Sequence, residues 1–504
     1  MFLGNRYPGA MSDTESYVYR YSWDRDDLSS YPWPEHYVKQ PEVLAYLRHV
    51  TDKYHLRADM RFETELSSAR WDDSGQRWSL VLNRDRNVTA RYLILGLGIL
   101  SKTNYPDIPG IRDFQGEIHH TAKWPKDIEL EGKDVGVLGT GSTGVQVITE
   151  ISRQVKSLKS FQRHPQYSVP SGDGKVTPEY RAYVNDNYDA IWEKVRTSFT
   201  AFGIDESRTS YHDVTPEERQ RIFQENWDKG NGFRFMFGTF SDISTDYEAN
   251  EGACAFIRQK IDEIVKDPVK ARKLKPWDLY ARRPLCDGNA RNGQRYFEQF
   301  NRPNVDVVDL RETPIVQIEA GGVRTSDGQL HELDVLILAT GFDAVEGNFQ
   351  RMAVHGRNGI TLTDAWSDGP SSLFGVHVPE FPNMFMINGP KGAFTNNPPA
   401  IEAQVEWIAQ IIGEAERGGT RLVEATHEGE QKWSQLCEKL AAKSLFWKAE
   451  DNWIFGANIP GKKRCLRFYF GGMSGYHEQL KSCAENDYVG FQPLAQKHAT
   501  AVSS

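Results

Sequence analysis

The feature that most constrains the fold is a short apolar run that leads directly into a glycine-rich loop. Lys133–Leu138 is predicted to be a buried strand, and it is followed at once by Gly139-Thr-Gly-Ser-Thr-Gly144. Apolar residues at helical spacing come next: Val145, Val147, Ile148 and Ile151. Strand, G-x-G-x-x-G and helix in this order are typical of a dinucleotide-binding βαβ unit. A plain glycine-rich turn is the alternative.

Each glycine of this loop has a steric reason. Gly139 permits the tight turn, Gly141 allows a pyrophosphate to approach the backbone, and Gly144 lets the helix pack closely on its strand. The N-terminus of the helix faces the phosphates. The residues that we predict to contact the nucleotide here are Gly139, Thr140, Gly141, Ser142, Thr143, Gly144 and Gln146.

The end of the next predicted strand indicates which dinucleotide binds. An NAD site places Asp or Glu about 20 residues after the glycines, to hold the ribose 2′-hydroxyl. Here the strand Ser157–Gln162 ends in Arg163-His164. A guanidinium suits a 2′-phosphate, so the pattern favours NADPH with Arg163 as a contact. A solvated charge at the strand end is the alternative.

Further strand-like runs predict a second unit. Tyr92–Leu95 ends at Gly96-Leu-Gly98, and Asp334–Leu338 ends at Ala339-Thr-Gly-Phe-Asp343. Small residues and one carboxylate at a strand end suit a second nucleotide, so Asp343 is a predicted cofactor contact. The predicted fold class is α/β, with two interleaved doubly wound dinucleotide-binding domains and a helical insertion.

The insertion is predicted from helix start signals between about Ser171 and Leu274. Thr177-Pro-Glu179 and Thr215-Pro-Glu-Glu218 each place Thr at an N-cap and Pro at the first helical position. The aromatic residues Phe233, Phe235, Phe237 and Phe240 are expected in the core or on a cleft wall.

Composition excludes several classes of protein. The chain has 504 residues and a net charge of −9, which argues against a protein that mainly grips nucleic acid backbones. No stretch approaches about 18 consecutive apolar residues, so a membrane-spanning helix is not expected. Five cysteines without C-x-x-C spacing indicate a reducing cytoplasm and no zinc site.

One segment makes the chain resemble a known family. Phe114-Gln-Gly116-Glu-Ile-His-His120-Thr-Ala-Lys-Trp124-Pro125 matches F-x-G-x-x-x-H-x-x-x-W-P, the pattern of the Baeyer–Villiger monooxygenases, just before the G-x-G-x-x-G. The blocks Arg283–Asp287, Gly341–Asn348 and Trp453–Lys463 look most like the cyclohexanone and cyclopentanone monooxygenase branch. The resemblance runs from Asn5 to about Gly490.

The resemblance implies a flavoenzyme that uses FAD, NADPH and O₂ on a small-molecule ketone. In that family a C4a-peroxyflavin inserts oxygen next to the carbonyl and gives an ester or lactone. A fixed cation in a dry cleft stabilises the negative charge that develops. The family pattern assigns this role to Arg283, with Asp13 as its counter-charge and as a cofactor contact.

The resemblance also implies roles for other positions. It makes Arg282 a second contact for the 2′-phosphate and Trp453 a contact for the NADP ribose, and it places Thr395 and Asn396 beside the flavin. The residues that it assigns to a linker between domains, rather than to acid–base chemistry, are Phe114, Gly116, His120, Trp124 and Pro125.

Structural alternatives stay open for three of these positions. Ser12-x-x-Glu15 fits a capping box, so Asp13 could belong to a helix start. Arg282 and Arg283 could be one solvated basic pair, and Trp453 could be a core residue. At the level of function, the alternatives are a flavin monooxygenase that oxygenates nitrogen or sulfur and an inactive NADP-binding remnant.

The chain departs from the family pattern at three places. No G-x-G-x-x-G precedes Asn5, so we expect a longer natural polypeptide that supplies the FAD glycine loop. Gly288–Gln294 is several residues longer than the family's turn. Lys391 and Ala393 replace the usual Asn and Pro, which we expect to widen or charge the substrate cleft.

The resemblance divides the chain into five ranges. Residues 1–125 and 334–504 form the predicted FAD-binding domain, and residues 126–170 and 276–333 form the predicted NADP-binding domain. Residues 171–275 are the helical insertion. A cytoplasmic enzyme without a bound metal, a membrane span or a nucleic acid partner is expected.

Overall fold

A computed structural model describes residues 5–281, 285–286, 295–449 and 452–494. Within these ranges the helices longer than a single 3₁₀ turn are α1 (Arg25–Ser30), α2 (Gln40–Lys53), α3 (Ser142–Ile151), α4 (Pro178–Asp186), α5 (Tyr188–Thr197), α6 (Pro216–Lys229), α7 (Gly232–Gly238), α8 (Tyr247–Ile264), α9 (Pro268–Leu274), α10 (Tyr296–Gln299), α11 (Glu346–Phe349), α12 (Leu362–Ala365), α13 (Asn397–Arg417), α14 (His427–Ala441) and α15 (Gly472–Glu485).

The strands form six small sheets. They are β1 (Leu66–Asp72), β2 (Arg77–Leu82), β3 (Arg86–Ala90), β4 (Leu93–Leu95), β5 (Glu117–His120), β6 (Asp134–Leu138), β7 (Ser157–Gln162), β8 (Ser168–Val169), β9 (Leu285–Cys286), β10 (Val305–Asp309), β11 (Ile315–Glu319), β12 (Gly322–Thr325), β13 (Leu330–Glu332), β14 (Val335–Leu338), β15 (Ala353–His355), β16 (Met384–Met386), β17 (Gly392–Ala393) and β18 (Phe468–Tyr469).

The sheet that carries the glycine loop is parallel throughout. Its order is β10-β7-β6-β14-β5, and every neighbouring pair is parallel. Val135 and Val137 of β6 are fully buried, as are Val145 and Ile148 of α3, because both faces of such a sheet are covered. The predicted run of strand, loop and helix is confirmed in the bounds of β6 and α3.

Strand pairing in this sheet crosses two of the predicted domain boundaries. β5 lies in the range 1–125 and β14 in the range 334–504, yet both belong to the sheet of β6. The A-T-G-x-D strand end therefore lies beside the G-x-G-x-x-G loop. A Cβ on Gly139 would come within 2.6 Å of the carbonyl oxygen of Ala339. The five-range division otherwise stays a prediction.

The four-stranded sheet and the pair β4-β16 form a second core. β4 pairs in parallel with β16, and β15-β1-β2-β3 forms a four-stranded sheet. A three-stranded meander, β11-β12-β13, follows β10. Trp71, Trp78 and Phe349 pack in the core of the four-stranded sheet, where alternate residues of β1 and β2 face inward.

The region between β8 and β9 is helical, with six helices from α4 to α9. The Thr177 side chain accepts a hydrogen bond from the Tyr180 N–H, and Thr215 accepts one from Glu218, so both predicted N-caps are confirmed. Phe235 and Phe240 lie in the core of this region, whereas Phe233 and Phe237 lie on a cavity wall.

Membrane-spanning helices and metal-ligand clusters are both absent from the described ranges. No helix there is long and apolar enough to cross a bilayer. In the same ranges, no group of three or more His, Cys, Asp or Glu side chains is arranged to hold a metal ion.

Candidate active site

A cavity of about 1080 Å³ opens between the glycine loop, the N-terminal segment and the helical region. Its volume is at the upper limit of ordinary small-ligand pockets, roughly 300–1,000 Å³. The predicted site residues that line it are Asp13, Gly139, Thr140, Gly141, Ser142, Thr143, Gln146, Arg163, Thr395, Asn396 and Trp453. Gly144, Asp343 and the five linker residues do not line it.

The glycine loop fits a pyrophosphate. Gly139 has a φ of +106°, a conformation that glycine adopts without strain. The N-cap of α3 is Gly141, which provides no side-chain cap, and a Cβ built on it meets no heavy atom within 4 Å. Gly141, Ser142 and Thr143 line the cavity, so the N-terminus of α3 opens onto it, which is the geometry of an anion site.

Arg163 stands on the cavity wall next to the glycine loop. The Thr140 hydroxyl donates to the carbonyl oxygen of His164 at 2.8 Å, which fixes the end of β7 against the loop. The His164 ring stacks on Trp277 with 5.4 Å between centroids. Arg163 is exposed and lines the cavity beside the loop, and its contact with a 2′-phosphate stays a prediction.

The segment that carries Asp13 is not a helix start. No helix of the described chain begins before Arg25, so the capping-box alternative is wrong. Glu15 instead pairs with Arg234 at 2.7 Å. The Asp13 carbonyl oxygen accepts from the Asn231 amide at 3.0 Å, and the buried Asp13 lines the cavity. Tertiary contacts override the local capping signal here.

Arg282 and Arg283 lie outside the described residues, as does the extended turn Gly288–Gln294. Their predicted roles stay predictions. Apart from Leu285 and Cys286, the described chain resumes at Arg295, and the last described residue before Arg282 is Ala281, which is buried. Its carbonyl oxygen accepts from the Asn452 amide at 3.3 Å.

Thr395 and Asn396 are held by a segment that sequence reasoning missed. The Thr395 hydroxyl donates to the carbonyl oxygen of Thr200, and the Asn396 amide donates to that of Ala201 at 3.0 Å. The Asn396 side-chain oxygen accepts from the Thr14 hydroxyl at 3.2 Å. These contacts join positions nearly 200 and nearly 400 residues apart, so local pattern carries no signal for them.

One part of the cavity wall is aromatic. The Phe202 and Phe233 rings stack with centroids 3.9 Å apart, and Phe394 packs 6.0 Å from Phe446. Such a surface excludes water and accepts an apolar substrate. The phenylalanines that line the cavity there are Phe199, Phe202, Phe233, Phe237, Phe394, Phe446, Phe468 and Phe470.

The linker residues lie behind the cavity wall. His120 is buried, its Nδ1 accepts from the Ala122 N–H at 3.1 Å, and its ring packs on Tyr105 and Phe342, which line the cavity. Burial lowers the pKa of His120, while the backbone of Asn104 and Gly341 opposes that shift. A neutral imidazole that is buried behind other side chains agrees with a structural role rather than with acid–base chemistry.

Asp343 and Lys391 differ from the expectations for them. The Asp343 carboxylate accepts from Lys102 at 2.7 Å and from Lys462, and its contact with a cofactor stays a prediction. The Lys391 ammonium donates to the Ser434 hydroxyl at 2.6 Å and does not line the cavity, whereas Ala393 does. The expectation that Lys391 charges the cleft is therefore wrong.

Comparisons with known proteins agree with this geometry. The family described as flavin-binding monooxygenase-like matches residues 6–164. A phenazine N-monooxygenase from Lysobacter antibioticus is 49% identical over 97% of this chain and 89% of its own length. A cyclohexanone 1,2-monooxygenase from an Acinetobacter species is 47% identical over 98% and 90% of the two chains.

Solved structures are similar over the same extent. A closed crystal structure of cyclohexanone monooxygenase superposes with a TM-score of 0.94 at 50% identity, covering 97% of this chain and 91% of that one. Cyclohexanone monooxygenase from Rhodococcus sp. Phi1 bound to NADP⁺ gives 0.95 at 49% identity, covering 98% and 92%.

The α/β fold and the cavity define a dinucleotide-binding oxidoreductase. Relatives that share nearly half of their residues with almost the whole chain then fix its family, and the chain belongs to the Baeyer–Villiger flavin monooxygenases. It is an FAD- and NADP-dependent monooxygenase. The sequence resemblance, the fold class and the predicted cofactors are confirmed.

Proposed function

We propose that the protein uses NADPH and O₂ to insert an oxygen atom next to a ketone carbonyl, giving an ester or lactone. The observation that carries this is the composition of one cavity, whose lining includes both the glycine loop with Arg163 and a group of phenylalanines that we call the phenylalanine wall. A charged cofactor and an apolar substrate can therefore meet in the same water-poor space.

Each part of the cavity has a proposed task. The N–H groups of α3 bind the pyrophosphate of NADPH, and Arg163 pairs with its 2′-phosphate. Asp13, Thr395 and Asn396 border the flavin half of the cavity. When bound, the reduced flavin supplies the activation of O₂, and the phenylalanine wall orients the ketone and keeps water out.

We propose that Arg283 stabilises the negative charge on the former carbonyl oxygen, with Asp13 as its counter-charge. The support is that Asp13 is buried on the cavity wall, where a carboxylate is costly unless a cation compensates it. An Arg283→Ala variant should still consume NADPH but should lose ester formation, by about a hundredfold or more. Product analysis by mass spectrometry, alongside NADPH absorbance, measures both.

Oxygenation of a heteroaromatic nitrogen is a second candidate function. Its support is the 49% identity to a phenazine N-monooxygenase, together with stacked phenylalanines that suit a flat aromatic substrate. Incubation of the flavin-loaded protein with cyclic ketones and with phenazines in parallel decides between the two. Lactone from the ketones supports the proposal, and N-oxide alone from the phenazines replaces it.

We propose a cytoplasmic location for the enzyme. Cys254, Cys437, Cys465 and Cys483 are free thiols, and three of them are buried, which suits a reducing compartment. Separation of cytoplasm from periplasm or medium, followed by immunodetection, tests this, and a protein found in the oxidising fraction contradicts it.

A further inference from the structure

A group of five charged side chains includes four that have been given no role so far. It consists of Lys102, Asp343, Glu346, Lys462 and Arg467, which we call the Lys462 cluster. Arg467 and Glu346 are almost entirely buried, exposing 1% and 4% of their side chains, and Asp343 and Lys462 are partly buried at 13% and 14%. Burying charged groups costs desolvation free energy, which is offset only when the geometry of their pairing is good. The segments that these side chains connect indicate the role of the cluster.

Lys462 is the bridge of the cluster. Its ammonium group pairs with Glu346 at 2.8 Å, contacts Asp343 and donates to the carbonyl oxygen of Ala344 at 3.3 Å. All three acceptors belong to the short segment that follows the A-T-G-F strand end. Lys462 belongs to a different segment, the one that begins at Asn452 and carries Trp453.

Arg467 also contacts both segments. Its guanidinium binds both oxygens of Glu346, at 2.6 to 3.0 Å. A Cβ on Gly456 would lie 2.4 Å from the Arg467 Nη1, so the chain at Gly456 packs directly on the guanidinium. The segment between Asn452 and Lys462 is thus attached at its middle and at its end.

The backbone between the two carboxylates is strained. Val345 is fully buried and has a φ of +61°, which is an outlier for a β-branched residue. Such a conformation persists only where the surroundings over-determine it. It turns Asp343 and Glu346 toward one ammonium group, so the strain belongs to the site that Lys462 occupies.

The two segments that Lys462 joins are neighbouring parts of the cavity wall. Thr340, Gly341 and Phe342 line the cavity from the strand end, and Trp453, Asn458 and Pro460 line it from the Trp453 segment. The Asn458 amide donates to the carbonyl oxygen of Phe342 at 3.1 Å, and this hydrogen bond joins the two segments directly.

We propose that Lys462 is a positioning residue that holds the Trp453 segment against the strand end, so that the nicotinamide nucleotide binds to a preformed wall. The proposal rests on the assignment of Trp453 to the NADP part of the cavity. Lys462 touches neither substrate nor cofactor in this account. It restricts the conformations of residues 452–461 before NADP⁺ binds. Less conformational entropy is therefore lost on binding, and the affinity for NADP⁺ is higher.

The test compares Lys462→Met with Lys463→Met in the flavin-loaded protein. Lys463 is the matched control because it is adjacent, exposes 59% of its side chain and lies 3.6 Å from the exposed Asp368. Chymotrypsin cleavage after Trp453 or Phe455, mapped by mass spectrometry, reports on the segment. NADP⁺ affinity by calorimetry reports on the wall. Neither readout requires turnover.

We expect Lys462→Met to be cleaved in the segment about tenfold faster and to bind NADP⁺ about tenfold more weakly than the control, with its flavin retained. Lys462→Arg should recover most of both. Equal cleavage and equal affinity in the two methionine variants would overturn the proposal. Should Lys462→Met lose its flavin or its fold, Glu346→Gln against Asp368→Asn applies the same test, because Glu346 is the other carboxylate that pairs with Lys462. A wild-type protein that binds NADP⁺ but oxygenates no ketone refutes the proposed function and leaves this inference intact.

Discussion

Gly141 and Gly144 belong to one loop but meet different surroundings. A Cβ on Gly144 would lie 2.1 Å from the carbonyl oxygen of Gly139, whereas a Cβ on Gly141 meets no heavy atom within 4 Å. The position of Gly144 is closed by the protein itself, and the position of Gly141 opens onto the cavity. In this loop, glycine is therefore required at position 144 for packing and at position 141 for access of the ligand.

This difference predicts opposite phenotypes for the two alanine variants. Gly144→Ala should destabilise the fold by about 1–3 kcal/mol, because the methyl group must displace backbone. Gly141→Ala should leave the melting temperature unchanged but weaken NADP⁺ binding about tenfold, because the methyl group enters the anion site. Thermal denaturation and NADP⁺ titration measure the two effects. A stable Gly144→Ala protein would contradict the packing argument.

Arg163 predicts the preference between the two nicotinamide cofactors. Arg163→Ala should lose roughly tenfold to a hundredfold in kcat/KM for NADPH, since a hydrogen-bonded charge pair with the 2′-phosphate is gone. The values for NADH should change little, because NADH has no such phosphate. Steady-state kinetics with both cofactors checks this, and an equal loss for both would show that Arg163 does not bind the 2′-phosphate.

Among single residues, the sequence predicted those whose role follows from local geometry. The glycines and Arg163 lie where strand, loop and helix must place them. The Lys462 cluster was not predicted, because its members meet only through tertiary packing between residues 102, 343 and 462. The Asp343 carboxylate was predicted as a cofactor contact, and the structure shows that lysines engage it.

At the scale of elements, β16 and the turn before it are held by a buried histidine. His377 is fully buried, with its ring nitrogens 3.0 Å from the carbonyl oxygen of Val378 and 3.1 Å from that of Val423. Burial lowers the pKa of His377 to about 4, and the two backbone carbonyls oppose that shift. The imidazole is neutral in the folded protein at neutral pH.

The direction of this shift predicts how stability depends on pH. The pKa is lower in the folded than in the unfolded chain, so the unfolded chain binds more protons between pH 6.5 and pH 4. The free energy of unfolding should therefore fall by about 3 kcal/mol as the pH drops through that range. Urea denaturation at several pH values measures the loss.

A His377→Asn variant is the control for this prediction. Its stability is lower at every pH, but the part of the slope between pH 6.5 and pH 4 that comes from His377 should be absent. An unchanged slope in the variant would show that another group titrates there.

The elements themselves were largely predictable. The bounds of β6 and β7 agree closely with their predicted runs, because the glycine loop ends the first strand and Arg163 follows the second. The small sheets around β4 and β16 were not predictable, because their pairing joins residues about 290 positions apart. Helix starts at Thr177 and Thr215 were predicted, whereas the helix start that Ser12-x-x-Glu15 left open as an alternative does not form.

At the scale of the whole molecule, one cavity joins segments from nearly the entire chain. Its walls include Asn5, Gly141, Phe233, Thr340 and Phe470. Such a site depends on the mutual placement of the parallel sheet, the helical region and the C-terminal helices. We therefore propose that NADPH, flavin and ketone meet in this cavity, so that oxygen from O₂ enters the ketone.

The most direct test of that claim is isotopic. The flavin-loaded protein is supplied with NADPH, a cyclic ketone and ¹⁸O₂, and the product is analysed by mass spectrometry. The account predicts a lactone that contains one ¹⁸O atom in its ring, with one NADPH consumed for each lactone. NADPH consumption that yields only hydrogen peroxide, or a lactone without the label, would contradict it.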